Sequence, residues 1–325
     1  MPTCRVYLFT YDRNEMLKRA IASLIDQTFT DWVCELHNDL PGNTFPEEYV
    51  RSLGDDRFII KTHPVNLGTT KSFNLAFTGC NENYASMLED DNWWEPTFLE
   101  EMIQIMEKDS NIAVSWCNMH VWKENEDHTW LDTGKTIWPV DHDRFFTWPQ
   151  PSQALGHLHS TGAMLYRGSK AAQYQIPPDS LSNAVELVRE RAFEHPIFLN
   201  SKVLANFSQT LVTSQTKDKI KWTGTQIMTV ASYINSSNNP KATTKQLLEF
   251  YRARRPSPVA VFFLAVCFYL KKPSLLLNLN ANDWYKTIRW CVGNISNIKP
   301  MAQYLKSQEE TWNYLKTNTK KFETS

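Results

Sequence analysis

Three consecutive carboxylates end one of the predicted strands. The segment Leu88-Glu89-Asp90-Asp91-Asn92-Trp93-Trp94-Glu95-Pro96 continues directly from an apolar run at residues 84–88. Neighbouring carboxylates repel one another, so a compact divalent cation is a natural complement, and hard oxygen ligands suit Mg²⁺ or Mn²⁺. Alternate residues of a strand face opposite sides, which turns Glu89 and Asp91 toward one pocket. The alternative interpretation is a solvated acidic turn that caps the helix beginning near Pro96.

Two other predicted strands also end in polar residues. The first is followed by Thr10-Tyr11-Asp12-Arg13 and the second by Asn38-Asp39. An aromatic ring beside a carboxylate suits a nucleobase, because Tyr11 can stack and Asp39 can accept a hydrogen bond from a base N–H. The alternatives are a helix cap at Asp12 and an ordinary turn beginning at Asp39.

A fourth segment, Asn66-Leu67-Gly68-Thr69-Thr70-Lys71-Ser72-Phe73-Asn74, is predicted to be a turn that runs into a helix. The backbone N–H groups at the start of that helix, together with Lys71, could offset the charge of a phosphate. Taken alone the segment is a weak motif, since one glycine does not make a phosphate-binding loop.

Alternating strand and helix patterns must position these residues. We predict strands at 5–10, 32–37, 57–62, 84–88 and 112–121, and helices at 15–26, 46–53, 69–77 and from 96 onward. Repeated strand–helix units with short links predict an α/β fold with a mostly parallel sheet flanked by helices, in which ligands bind at the carboxyl ends of the strands.

The rest of the chain changes character. Residues 123–158 show no period and are predicted to form a long irregular insertion, followed by a strand at 159–166 and a helix at 181–193. Beyond residue 200 the pattern is helical, with a polar tail after Ser307. We therefore expect a sheet domain over 1–200 and a basic helical region over 201–325.

The net charge supports this division. The 325-residue chain is 42% hydrophobic and 21% charged, which excludes global disorder, and its formal net charge is −1. Residues 201–325 hold 18 Lys and Arg against 6 Asp and Glu, or +12, which leaves 16 basic and 29 acidic residues, or −13, in 1–200. An acidic half joined to a basic half indicates two different tasks.

Cysteine spacing and hydropathy predict a cytoplasmic protein. The six cysteines are widely spaced without a CxxC pair, which favours free thiols, and the first ten residues lack a secretory signal. The longest apolar run, Val259–Leu270, has only 12 residues and is flanked by basic residues. We favour a buried helix packed on the sheet domain; the alternative is docking to an anionic membrane, where each basic residue contributes about 1 kcal/mol.

Taken together, the four polar segments resemble those of family 2 glycosyltransferases of the GT-A fold, which is Rossmann-like. The resemblance covers residues 3–107 well and fades toward residue 200. Three departures stand out: Glu89 replaces the usual Asp, Leu-Pro-Gly follows Asp39 in place of Gly-Ser, and Phe73 occupies a position often held by Arg.

The resemblance implies an inverting transfer of a sugar from a nucleotide-sugar, most commonly a UDP-sugar, to a hydroxyl. It implies that Asp91 holds a divalent metal, Mn²⁺ or Mg²⁺, and that the remaining residues of the pattern bind the donor. Those donor-binding candidates are Thr10, Tyr11, Arg13, Asp39, Asn66, Lys71, Glu89 and Asp90.

The resemblance also implies a general base in an acidic pair after the strand at 159–166, but no Glu-Asp pair follows that strand here. The candidates are Glu186, which we rank first, and Asp179. The structural alternatives are a helix cap at Asp179 and a surface ion pair between Glu186 and Arg189.

These inferences predict a glycosyltransferase of bacterial surface polysaccharide or glycolipid assembly. Its expected partners are a nucleotide-sugar donor, a glycan or lipid-linked acceptor and, at the inner face of the plasma membrane, an anionic membrane surface; nucleic acid is not expected. The competing functions are a nucleotidyltransferase, disfavoured because Thr10–Arg13 contains no glycine, and a non-catalytic nucleotide-sugar or glycan-binding protein.

Overall fold

The computed structural model of the chain describes residues 3–211, 218–254 and 259–324, except for the side chains of residues 259–261. Its strands are β1 Cys4–Thr10, β2 Trp32–Asn38, β3 Phe58–Thr62, β4 Tyr84–Glu89, β5 Trp93–Trp94, β6 Val114–Glu124, β7 Trp130–Thr136, β8 Arg144–Phe146, β9 Met164–Arg167 and β10 Ile197–Gln209. Its α-helices are α1 Asn14–Ile25, α2 Phe45–Leu53, α3 Thr69–Asn74, α4 Phe98–Lys108, α5 Val185–Arg189, α6 Lys219–Ser236, α7 Pro240–Arg252, α8 Val259–Leu270, α9 Ala281–Gly293, α10 Ile295–Ser307 and α11 Glu309–Asn318.

The strands form one sheet in the order β3-β2-β1-β4-β9-β6-β10-β5, with β7 paired to β6 and β8 paired to β10. Neighbours among β3, β2, β1 and β4 are parallel, and β10 runs parallel to β6. β9 is antiparallel to both β4 and β6. The architecture confirms the predicted α/β fold class, with helices flanking the sheet and a helical C-terminal region.

Helices α1 and α4 supply the main apolar layer on one face of the sheet. Their apolar side chains recur at helical spacing and pack with the inward-facing residues of β1 and β2. The buried side chains of this layer include Leu17, Ile21, Leu24, Leu99, Met102, Met106, Val6, Leu8 and Leu36. This packing holds the carboxyl ends of the central strands in a defined register.

Several predicted elements differ from the structure. The helical pattern expected beyond residue 200 is wrong at its start, because Ile197–Gln209 is a 13-residue strand. The region 123–158 is not wholly irregular, since it contains β7 and β8. The predicted strand at 159–166 begins only at Met164, and the predicted helix at 181–193 is a single α-turn, α5, between 3-10 turns. The polar tail contains α11.

The chain forms two compact units, each built from three segments that alternate along the sequence. The first comprises residues 1–147, 159–175 and 193–214, and the second comprises 148–158, 176–192 and 215–325. The predicted boundary at residue 200 falls within β10.

The core of the second unit is built by α6, α7 and α8. Phe263, Val266 and Cys267 of α8 are buried, and α8 packs against α6 and α9. Phe268 of the same helix is 72% exposed. The helix thus packs on helices of its own unit with one side chain outward, and the choice between burial and membrane docking for Val259–Leu270 stays a prediction.

All six cysteines lie within the described ranges and are free thiols, as predicted. Across those same ranges, no helix combines the length and the apolar composition needed to cross a bilayer.

Candidate active site

The carboxyl ends of β1, β2 and β4 bring three of the predicted segments together in the first unit. Thr10 aligns with Asn38 of β2, and Phe9 aligns with Glu89 of β4. The ladder continues one residue beyond the strands on both sides, where Asp39 N donates to Thr10 O at 3.0 Å and Asp90 N donates to Phe9 O at 3.0 Å. Asp39 and Asp90 consequently flank the carboxyl end of β1.

Asp90 organises the turn that follows β1. It is 4% exposed and accepts hydrogen bonds from Thr10 Oγ1 at 2.9 Å, Tyr11 N at 3.1 Å and Arg13 Nη1 at 3.2 Å. Burial and the neighbouring charge of Asp91 raise the pKa of Asp90 to about 7, although Arg13 and the two other donors oppose the rise. The Asp90 carboxylate thus holds Thr10, Tyr11 and Arg13 in one cluster.

Asp91 is the more accessible of the two aspartates. Its side chain is 17% exposed and lies 2.5 Å from Arg13 Nη1. Burial raises the pKa of Asp91, and Arg13 counteracts that effect. Because the same Arg13 nitrogen reaches both carboxylates, it partly neutralises the repulsion between them.

Glu89 fits into a gap left by a glycine of another segment. Its Oε2 accepts a hydrogen bond from Asn92 Nδ2 at 2.6 Å. A Cβ atom added to Gly162 would overlap Glu89 Oε2 and would lie 3.1 Å from Asn92 Nδ2. The carbonyl of Gly162 also accepts a hydrogen bond from Trp94 Nε1 at 2.8 Å. The Glu89 side chain is therefore accommodated by the absence of a side chain at residue 162.

Asp39 ties the predicted turn at residues 66–68 to the end of β2. Its two oxygens accept hydrogen bonds from Leu67 N at 2.9 Å and Gly68 N at 3.2 Å. Asn66 Oδ1 accepts from the same Gly68 N at 2.7 Å, and Gly68 has a φ of 74°, a left-handed conformation that suits glycine. Asp39 thus fixes the loop that leads into α3.

Three of the donor-binding candidates present exposed side chains. Tyr11 is 50% exposed, directly after the end of β1. Asn66 is exposed in the turn before α3, and Lys71 is exposed on α3, a short helix of six residues. Their contacts with a donor stay a prediction.

Arg19 binds the backbone of the acidic segment. Arg19 Nη2 donates to the backbone O of Asp91 at 2.9 Å and to Ser208 Oγ at 3.2 Å. The Arg19 guanidinium lies 3.7 Å from the ring centroid of Trp93 and 4.3 Å from that of Trp130. Desolvation lowers the pKa of Arg19 to about 10, and Asp91 opposes this effect. Sequence reasoning missed Arg19 and Ser208, because both act on main-chain or neighbouring polar atoms from distant elements.

Three tryptophans, Trp93, Trp94 and Trp148, pack on protein side chains. Trp93 packs on Arg19, and Trp94 is buried against Phe98 with ring centroids 4.1 Å apart. Trp148 belongs to the second unit, where it packs against Tyr233. All three rings therefore contribute to packing within their own units.

The two general-base candidates lie in the second unit. Glu186, on α5, has Oε2 at 3.1 Å from His157 Nε2. Asp179 Oδ1 accepts a hydrogen bond from Thr311 Oγ1 at 2.8 Å. Their roles in catalysis stay a prediction.

The donor set at Asp91 limits how a metal would bind. Over the part of the chain that the structure describes, no group of three or more His, Cys, Asp and Glu residues is placed to hold a metal ion. Mg²⁺ characteristically uses one or two carboxylates and completes its shell with phosphate oxygens and water. Among the described residues, Asp91 would hold a divalent ion through one carboxylate, and phosphate oxygens and water would have to supply its remaining ligands.

Comparison with known proteins gives a family match whose range includes the candidate site. A family model described as glycosyl transferase family 2 matches residues 6–169, which is half of the chain and includes all the predicted donor-binding residues.

Two curated relatives match shorter stretches. One is the Escherichia coli (strain K12) glycosyl transferase WcaA, named for colanic acid biosynthesis, which is 26% identical over 99 residues, covering 30% of this chain and 36% of the relative. The other is the uncharacterised glycosyltransferase MJ1057 of Methanocaldococcus jannaschii, 31% identical over 120 residues, covering 35% of this chain and 41% of the relative. The matches thus span about two fifths or less of the length of these relatives.

Solved structures match over nearly the whole chain. S. aureus TarS 1-349 in complex with UDP has a TM-score of 0.59 and 13% identity, and the match covers 94% of this chain and 92% of TarS 1-349. The same protein in complex with UDP-GlcNAc has a TM-score of 0.57 and 11% identity, covering 98% of this chain and 90% of that one. At this level of identity the likeness establishes a shared fold.

Proposed function

Since the chain belongs to glycosyl transferase family 2, we propose that it is an inverting, metal-dependent transferase that moves a sugar from a UDP-sugar to a hydroxyl of a glycan or glycolipid. The observation that carries the proposal is the cluster at the ends of β1, β2 and β4. There Asp90 holds the turn after β1, Asp39 holds the loop before α3, and Asp91 stays partly exposed.

The nucleoside is assigned to the side of the cluster nearest β1 and β2. Tyr11 offers an exposed ring for stacking on a uracil, and Asp39 retains lone pairs beyond those used by the loop amides. The UDP complexes of TarS, which shares this fold, favour uridine over other bases. Thr10, Asn66 and Lys71 complete the proposed donor contacts.

The diphosphate is assigned to Asp91 and the cations beside it. When bound, Mn²⁺ or Mg²⁺ would supply Lewis-acid stabilisation of the negative charge that develops on the departing diphosphate. Asp91 would hold that ion, and Arg13 would keep Asp90 and Asp91 in place through its shared nitrogen. Glu89, fixed by Asn92, would contact the sugar.

Transfer itself requires a base from this chain. Glu186, or else Asp179, would take the proton from the acceptor hydroxyl as its oxygen forms a bond to the donor C1. The bond between C1 and the phosphate oxygen breaks, its electron pair leaves with UDP, and attack from the opposite face inverts C1. The His157 imidazole beside Glu186 would position that carboxylate.

The acceptor is assigned to surface polysaccharide or glycolipid assembly. The supporting observation is the similarity to WcaA, a protein named for colanic acid biosynthesis. Such a role fits a cytoplasmic protein that works peripherally at the inner face of the plasma membrane.

Thermal shift measurements test the donor assignment. UDP with Mn²⁺ should raise the melting temperature of the wild type, and Asp91→Asn should lose most of that rise while keeping the ligand-free melting temperature. Asp56→Asn, at an exposed position in the same unit, serves as the matched control and should respond like the wild type. A wild-type protein that responds to no nucleoside diphosphate, or an Asp91→Asn variant that responds fully, would overturn the proposal.

A further inference from the structure

Helices α9 and α10 present a row of apolar side chains to solvent. Tyr285, Ile288, Val292, Ile295 and Ile298 are between 52% and 75% exposed. Single exposed apolar residues are ordinary, but a run of five in two consecutive helices is not. We call these five residues the apolar row.

The spacing within each helix places the members of the apolar row along one side of that helix. Tyr285, Ile288 and Val292 of α9 follow at intervals of 3 and 4 residues, and Ile295 and Ile298 of α10 are 3 residues apart, the pattern that normally faces a protein core. The buried side of α9 is instead polar, with Asp283 and Thr287 both buried. Asp283 forms a capping box with Asn280, the N-cap residue of α9, and an ion pair with Arg252. The orientation of α9 is thus fixed by polar contacts that leave its apolar side outward.

The surrounding charge is almost entirely positive. Residues 250–308 contain nine Lys and Arg and a single acid, Asp283. That acid is buried in the ion pair with Arg252, so it does not offset the charge at the surface. Lys286, Arg289 and Lys299 are exposed on α9 and α10 beside the apolar row.

From this combination we propose that the apolar row and its basic neighbours dock the protein on an anionic lipid bilayer. Aliphatic side chains need an apolar phase, whereas lysine and arginine need an anionic surface, and the lipid interface provides both. Trp284 and Trp290, each 37% exposed on α9, are of the type that lies at the level of lipid headgroups. A second copy of the chain fits less well, because it would bring like charges together, and a nucleic acid would leave the aliphatic side chains in water.

This inference deepens the proposed function by naming the surface that would bring the enzyme to a lipid-linked acceptor. It differs from the expectation based on Val259–Leu270, whose described side chains at 263, 266 and 267 are buried. Binding to vesicles requires neither donor nor acceptor, so its failure and the failure of UDP binding are distinguishable.

Vesicle sedimentation tests the proposal directly. The wild type should bind vesicles of equal parts phosphatidylcholine and phosphatidylglycerol. It should bind much more weakly to vesicles of phosphatidylcholine alone. The variant Ile288→Gln/Val292→Gln/Ile295→Gln should lose at least about tenfold in affinity for the anionic vesicles. Its matched control removes three exposed apolar residues of the first unit, Ile59→Gln/Val65→Gln/Leu131→Gln, and should bind like the wild type.

A charge-reversal series separates the electrostatic part. Lys286→Glu, Arg289→Glu and Lys299→Glu should each weaken binding about fivefold, since a basic residue near an anionic surface contributes about 1 kcal/mol. Reversing the exposed Lys108, Lys123 and Lys135 gives the same change in net charge and should have a much smaller effect.

Three results would overturn the proposal. One is a wild type that does not bind anionic vesicles, and another is equal binding by the apolar-row triple variant and the wild type. The third is a wild type that is dimeric by light scattering and a triple variant that is monomeric, which would assign the surface to a second copy.

Discussion

The close fit between Glu89 and Gly162 is the most distinctive contact of the candidate site. The carboxylate of Glu89 is held by Asn92 at 2.6 Å, and the space it occupies is the space that a side chain at residue 162 would need. Glu89 is the last residue of β4, and Gly162 lies in a 3-10 turn directly before β9, so their fit depends on the pairing of β9 with β4. We expect them to behave as a coupled pair.

Gly162→Ala should therefore lower the free energy of unfolding by about 1–3 kcal/mol, the usual cost of overpacking, and weaken UDP binding. Adding Glu89→Asp should restore much of the loss, because the shorter carboxylate withdraws from the new methyl group. Urea unfolding of the two single variants and the double variant gives the coupling.

Gly293→Ala is the control, since a Cβ there meets no atom within 4 Å. Its stability should be unchanged or slightly raised. Purely additive effects of Gly162→Ala and Glu89→Asp would contradict the contact.

For single residues, the residue types predicted the location of the site better than they predicted the role of each side chain. Asp90 was expected to contact the donor, and its carboxylate accepts hydrogen bonds from Thr10, Tyr11 and Arg13. Arg19 carried no detectable signal, because its partners, the Asp91 carbonyl and Ser208, are 72 and 189 residues away in the chain.

At the scale of elements, the site depends on how a loop is fastened to a strand end. The turn at 66–68 has its backbone amides bound by Asp39, which itself follows β2. The charge of Asp39 thus acts on the loop before any ligand is bound.

Asp39→Asn should cost about 1–3 kcal/mol of stability and weaken UDP binding, because an amide oxygen accepts less strongly and the amide N–H₂ opposes a backbone N–H. Urea unfolding and UDP titration measure the two effects. Asp56→Asn should leave both unchanged, and an Asp39→Asn variant as stable as the wild type would show that the turn does not depend on the carboxylate.

A histidine pair joins the ends of β2 and β3. His37 Nδ1 lies 3.0 Å from His63 Nε2, and the two rings are stacked with centroids 5.2 Å apart. Burial and His37 together lower the pKa of His63 below its ordinary value of 6.5, with Asp39 opposing the shift.

The unfolded chain therefore binds a proton on His63 at higher pH than the folded protein does. The contribution of His63 to the free energy of unfolding should fall as the pH drops below 6.5 toward the lowered pKa. His63→Gln should remove part of this fall in urea midpoints measured on either side of pH 6.5. His142→Gln, at an exposed position, should retain it, and an unchanged pH profile in His63→Gln would exclude the pair as its source.

The elements that could be predicted are those whose side chains repeat against the core. α1 and α4 have clear helical periods, and β1, β2 and β4 are short apolar runs. β10 was missed because its pairing with β6 shifts register near Val203, which breaks the alternation of its side chains. β7 was missed because most of its residues face solvent, so its pairing with β6 leaves no apolar pattern.

At the scale of the whole molecule, the distribution of charge is more informative than its total. The −1 of the full chain comprises −13 in residues 1–200 and +12 in 201–325. Three acids of the candidate site, Asp39, Asp90 and Asp91, lie together at the carboxyl ends of the strands. Basic residues of 201–325 lie beside the exposed apolar row. The family model matches residues 6–169, a range that includes these three acids and does not reach the apolar row.

A crystal structure of the protein with UDP and Mn²⁺ would test the proposed donor site most directly. We predict uracil against Tyr11 and Asp39, the diphosphate at a cation held by Asp91, and Asp90 still bound to Thr10 and Arg13. A nucleotide bound away from the ends of β1, β2 and β4, or a diphosphate that does not approach Asp91, would contradict it.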